Sequence, residues 1–67
     1  MYEKSEELYL QAISIKKSAL FWGNLGVLYH RWNRRQQAID AYQTALLIDN
    51  KFQNAKVNLE KLLSRKR

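Results

Sequence analysis

Few residues in this chain are of a type that performs covalent or acid–base chemistry, and their spacing brings none of them together. There is no cysteine, so thiolate catalysis, thiolate metal sites and disulfide scaffolds are excluded. His30 is the lone histidine, with no carboxylate placed by the pattern to orient it, so it is assigned neither a catalytic nor a metal role. Glu6 and Glu7 are adjacent and read as a helix-start charge effect rather than an acid/base couple. No glycine-rich phosphate loop and no nucleophile–base pair is found, and no cofactor or metal is expected. What remains is recognition chemistry. Asn24 and Asn58 are amides that can donate and accept at once, and Arg31, Lys61 and Arg65 can attract carboxylates. Tyr29-His30-Arg31-Trp32-Asn33-Arg34-Arg35 interleaves aromatics with arginine, as some RNA-binding surfaces do.

The elements that position these residues are helices. The chain has 67 residues, 46% of them apolar, no proline and only Gly23 and Gly26 as glycines. That composition suits a small packed helical domain and disfavours collagen-like, disordered and sandwich readings. No apolar run reaches the ~20 residues a bilayer span needs, and no membrane contact is expected. The net charge of +6 is uneven. Residues 51–67 hold Lys51, Lys56, Lys61, Arg65, Lys66 and Arg67 against Glu60 alone, whereas residues 1–18 balance. The excess points toward acidic partners.

Four segments carry apolar residues at three- and four-residue steps. They run through Leu8, Ala12 and Ile15; through Phe21, Trp22, Leu25, Leu28, Tyr29 and Trp32; through Ala38, Ile39, Tyr42, Ala45 and Ile48; and through Phe52, Ala55, Leu59, Leu62 and Leu63. Ser18 is a candidate N-cap, Asn33 can take a positive φ, and Asp49-Asn50 offers a turn. These breaks are weak. Fusion of the third and fourth helices, with domain swapping as its consequence, stands as an alternative.

Internal similarity organises the helices. Tyr9, Ala12 and Ile15 fall over Tyr42, Ala45 and Ile48 at an offset of 33, and Leu25 and Tyr29 over Leu59 and Leu63 at 34. A period of that length with two helices per unit marks a stacked helical repeat. Trp22-x2-Leu25-Gly26-x2-Tyr29, followed by Ala38, Tyr42 and Ala45, resembles one tetratricopeptide repeat over residues 19–52, with Asn50 where proline is usual. The resemblance implies an all-α fold of about four helices in antiparallel hairpins with α-solenoid packing. Residues 1–17 would be the second helix of a preceding repeat, 19–52 a full repeat, and 53–67 a C-terminal capping helix. On that reading the chain begins inside a longer array and ends near its terminus. Gly26 and Ala38 would let the hairpin helices approach closely. Lys56 and Glu60 occupy the tryptophan and small-residue slots of the last helix and depart from the pattern.

The resemblance also implies a function, which is non-catalytic binding of a peptide or partner protein on a concave, basic helical face. By its register the groove residues are Leu20, Gly23, Asn24, Val27, His30 and Arg31, joined by Asn54, Val57, Asn58, Lys61 and Arg65. Gly23 and Val27 stand where the chaperone-binding branch clamps a terminal carboxylate with Lys and Asn, so a clamp is not expected. An acidic protein or peptide is the expected partner. A basic nucleic-acid-binding helical module is the weaker alternative. The segments Tyr2–Ile13 and Gly23–Trp32 further resemble the last repeats of the transmembrane-and-tetratricopeptide proteins, endoplasmic-reticulum O-mannosyltransferases acting on cadherins. That likeness implies a partner- or substrate-binding tail in the endoplasmic-reticulum lumen. Without it the compartment is unassigned, with the cytoplasm as default.

Overall fold

A computed structural model of the chain describes residues 1–64. It contains α1 (Tyr2–Ile15), α2 (Ala19–Arg31), α3 (Arg35–Ile48) and α4 (Gln53–Ser64). Each break has a local cause. Ser18 adopts an extended backbone, and its hydroxyl oxygen accepts from the Leu20 N–H at 3.2 Å, capping α2. At the other end of α2, Asn33 takes φ 64°. The N–H of Asn33 donates to the His30 carbonyl and that of Arg34 to the Tyr29 carbonyl, at 3.1 and 2.8 Å. This pair of bonds is a Schellman ending, here built on asparagine rather than glycine.

The third and fourth helices are separate, which overturns the fused-helix alternative and removes its reason for domain swapping. Asp49 leaves the helix with φ −142° and ψ 97°. Its carboxylate accepts from the Lys51 N–H at 3.0 Å and its carbonyl from the Phe52 N–H at 3.1 Å. That Asx-type turn performs the reversal without proline.

Successive helices run antiparallel, and α2 lies at the centre. It packs most extensively on α3, is flanked by α1, and touches α4, which in turn packs on α3. The shared core comprises Ile13, Leu25, Tyr29, Ile39, Tyr42 and Leu62, set among the small residues Ala38, Ala41, Ala45 and Ala55. Tyr42, Leu25 and Leu62 are its largest fully buried side chains. Trp22, a signature residue of α2, is only half-buried.

The small residues set the distance between helices. A Cβ at Gly26 would stand 2.6 Å from Tyr42 Cε1, so the tyrosine ring lies flat against the α2 backbone. A Cβ at Gly23 would stand 2.7 Å from Phe52 Cε2, which places the aromatic ring of the α3–α4 turn against the same helix. Arg35 Nη2 donates to the Leu62 carbonyl at 2.9 Å and ties the start of α3 to the end of α4. Among the described residues no buried side-chain polar atom lacks a partner, and no helix is long and apolar enough to cross a membrane.

Candidate functional site

The expected binding face is carried by α2 and α4, which adjoin. On α2, Leu20, His30 and Arg31 are exposed, and Asn24 and Val27 are half-buried. On α4, Asn54, Val57 and Lys61 are exposed. Arg65 lies outside the described residues. Among the described residues α2 carries no acid, and α4 carries Glu60 against Lys56 and Lys61. The adjoining surfaces are therefore electropositive, with Leu20 and Val57 as apolar points among amides and bases.

One expected groove residue needs correction, and a second faces the core as well as the groove. Gly23 is buried rather than groove-facing, because the Phe52 ring occupies the space its missing side chain leaves. The missing side chain leaves the space that this ring occupies. Asn58 is half-buried and lies near enough to the Tyr42 hydroxyl to influence its ionisation. Burial raises the Tyr42 pKa above its usual 10.0, and Asn58 acts in the opposite direction. Asn24 and Asn58, equivalent in the repeat, are thus differently committed. Asn24 makes no side-chain hydrogen bond among the described residues, whereas the Asn58 amide faces the Tyr42 hydroxyl.

The signature residues Leu25, Gly26, Tyr29, Ala38, Tyr42 and Ala45 are all buried. The Tyr29 hydroxyl donates to Glu6 Oε2 at 2.6 Å, across the α1–α2 interface. Glu6 therefore does more than charge a helix start, since it joins two helices, while Glu7 remains exposed. Burial first, then the hydrogen bond and the charge of Glu6, push the Tyr29 pKa from 10.0 up to about 12, with Arg34 opposing. Sequence reasoning missed this pair. The available signal was that Tyr2, Glu6, Tyr9 and Ile13 form one helical stripe, so Glu6 lay on the packed side of α1.

The aromatic–arginine run is also used internally. Trp32 stacks on Tyr2 with ring centroids 5.5 Å apart and on Tyr29 at 6.3 Å, and the Arg34 guanidinium carbon lies 3.9 Å from the Trp32 ring centre. The Tyr2 hydroxyl donates to the Arg31 carbonyl at 3.1 Å. A base seeking a stacking platform would have to displace these partners. Among the described residues no group of three or more His, Asp or Glu side chains could hold a metal ion.

A family model described as Tetratricopeptide repeat matches residues 19–52, half of the chain. The chain belongs to the tetratricopeptide repeat family. The matched unit begins at the first residue of α2 and ends on Phe52, so it takes in the α2–α3 hairpin and the turn that closes it. Tetratricopeptide repeats are protein-interaction units and are typically non-catalytic. A Protein O-mannosyl-transferase of Caenorhabditis elegans is 47% identical over 45 residues, which cover 67% of this chain and 6% of that protein. No solved structure matches the chain.

Proposed function

We propose that the tetratricopeptide hairpin binds an acidic, extended peptide or protein segment along the adjoining faces of α2 and α4. The observation that carries this reading is the charge and exposure of that surface. Arg31, His30, Asn54 and Lys61 are exposed there, Asn24 is half-exposed, and Glu60 is the one acid among the described residues of the two helices. Free amides suit a peptide backbone, which offers donors and acceptors alternately. The bases add attraction for carboxylates, and Leu20 and Val57 supply apolar contact. Within the same reading residues 53–67 act as a capping helix, because Lys56 and Glu60 are exposed where a following hairpin would need an apolar and a small residue.

The experiment is a fluorescence-polarisation screen of labelled acidic, neutral and basic peptides against the full chain, with a single-stranded RNA as a further arm. Acidic peptides are expected to bind, and Arg31→Glu with Lys61→Glu to abolish the signal while the helical circular dichroism is kept. Equal binding of all peptides, or an unaffected double variant, refutes the assignment. RNA binding that falls steeply with salt would move the function to nucleic acid.

The likeness to an O-mannosyl-transferase favours a second reading of context. In it the hairpin is a partner- or substrate-binding part of a membrane glycosyltransferase of the endoplasmic reticulum whose chemistry resides elsewhere. Only 6% of that relative is covered, so the test is the coding sequence on either side of this segment. Flanking apolar spans would support the reading, and their absence would dismiss it.

A further inference from the structure

We infer that the groove between α2 and α3, on the side of α2 away from the peptide face, is a receptor for a guanidinium group, the arginine side chain of a partner protein. The groove holds a cavity of about 260 Å³ lined by Trp22, Tyr29, Gln37, Asp40, Ala41 and Thr44. Trp22 and Tyr29 each follow a residue of the peptide face, Leu20 and Val27, by two positions. Two positions are about 200° around an α-helix, so this site and the peptide face are distinct. The four α3 residues recur at steps of three, four and seven and form one stripe opposite the two rings.

Chemistry selects the guest. Trp22 offers an indole that is half-buried and borders open space. Asp40, an exposed residue of α3, lines the same cavity. One carboxylate oxygen of Asp40 accepts from Gln36 Nε2 at 3.2 Å, and its backbone carbonyl accepts from the Thr44 hydroxyl at 2.9 Å. These contacts orient the residue without neutralising it. In a chain where bases outnumber acids twelve to six, Asp40 forms no ion pair among the described residues. An aromatic face beside an unpaired carboxylate is complementary to a planar cation, which can stack on the ring while its N–H groups reach the oxygens.

The same chain already shows the motif one step along the groove. Arg34 lies 3.9 Å from the Trp32 ring centre and donates from Nη1 to Gln37 Oε1 at 3.2 Å. Arg34 is thereby held at Trp32, and the other part of the groove is lined by a second indole and a carboxylate, with no arginine among its lining residues. The polar residues Gln37 and Thr44 frame the entrance, which favours a charged guest over a purely apolar one.

The test titrates the isotopically labelled full chain with n-propylguanidinium, n-propylammonium and butyrate at matched ionic strength, following the indole N–H resonances of Trp22 and Trp32. Guanidinium should shift Trp22 saturably, leave Trp32 nearly unmoved, and bind at least about tenfold more weakly to Asp40→Asn. Glu60→Gln, which removes an acid outside the groove, should titrate like the parent. Asp40→Glu keeps the charge and should retain binding, which guards against a folding defect in Asp40→Asn. Planar stacking should make propylammonium the weaker cation by about threefold or more. A response that does not saturate, one that butyrate reproduces, or one that survives Asp40→Asn overturns the assignment. So does equal or tighter ammonium binding, and so does a shift confined to Trp32.

Discussion

Alanine at Gly26 tests the packing on which every surface described above depends. The added Cβ would meet Tyr42 Cε1, Cδ1 and Cζ at 2.6, 2.7 and 2.9 Å. Ordinary carbon contacts lie near 3.5–4.0 Å, so the ring or the helix must move by about 1 Å. Tyr42 is 1% exposed, so the ring is enclosed on every side and has no free direction. Overpacking of this kind costs about 1–3 kcal/mol. Alanine recovers about 1 kcal/mol of helix propensity over glycine. The expected net loss is about 1–2 kcal/mol, which lowers the melting temperature of a domain this size by about 5–15 °C. Gly23→Ala is the internal control. There the contact is the edge of the half-buried Phe52 ring in a turn, which can swing aside, and the propensity gain should leave stability within about 0.5 kcal/mol of the parent. Urea and thermal melts followed by circular dichroism decide the matter. A Gly26→Ala protein melting at or above the parent, or a larger loss at Gly23, refutes the argument from ring geometry.

Tyr29→Phe removes the hydroxyl that donates to Glu6 and should cost about 1–2 kcal/mol in urea melts. The Tyr29 pKa is about 12 in the fold against 10.0 in the unfolded chain, so the folded state holds this proton longer. Its contribution is full below pH 10 and is lost as pH rises toward 12. The parent should therefore lose stability in that window more steeply than Tyr29→Phe, as base titrations of the melting midpoint would show; equal slopes count against the Glu6 link. Tyr42, also raised, acts in the same direction and leaves a residual slope in the variant. Asn33→Gly should be nearly neutral and Asn33→Val should cost about 1–2 kcal/mol, because φ 64° is left-handed; equal melts for the two would contradict that. Trp32→Ala removes the platform between Tyr2 and Arg34 and should speed amide exchange in the first turns of α1 before those of α3.

The hairpins and their family were legible because the pattern that encodes them is periodic. Gly26, Ala38, Tyr42 and Ala45 recur at spacings that only a helix pair uses, and each is buried as that spacing implies. The contacts that were not legible join residues with no fixed spacing. Phe52 reaches Gly23 from a turn, and Tyr2 reaches Trp32 from the far end of another helix. Nothing in a single sequence distinguishes a glycine that admits a ring from one that is merely tolerated. For the binding face the register was informative and the commitments of side chains were not. Asn24 and Asn58 look equivalent, yet only Asn58 lies near a buried hydroxyl, that of Tyr42. Trp22 shows the reverse. It belongs to the same signature as the buried Leu25 and Tyr29, but α3 presents Ala41 and Thr44 to it, too small to enclose an indole, and a cavity results.

The contact at Gly26 also bears on which faces can take another helix. Tyr42 rests on α2 only because residue 26 has no side chain. Thirty-four positions later the equivalent residue is Glu60, and Lys56 stands where Trp22 stands in α2. A helix laid on α4 as α3 is laid on α2 would drive a large side chain into the Glu60 carboxylate and bury two charges without partners, at a cost of several kcal/mol. Both residues are exposed in the fold, as that reasoning requires. The same two charges are most favourably left in water, which is where the fold places them. Asn54, Val57 and Lys61 lie about a quarter-turn or more around α4 from the line through Lys56 and Glu60, so a helix stacked on one face would not by itself cover the other.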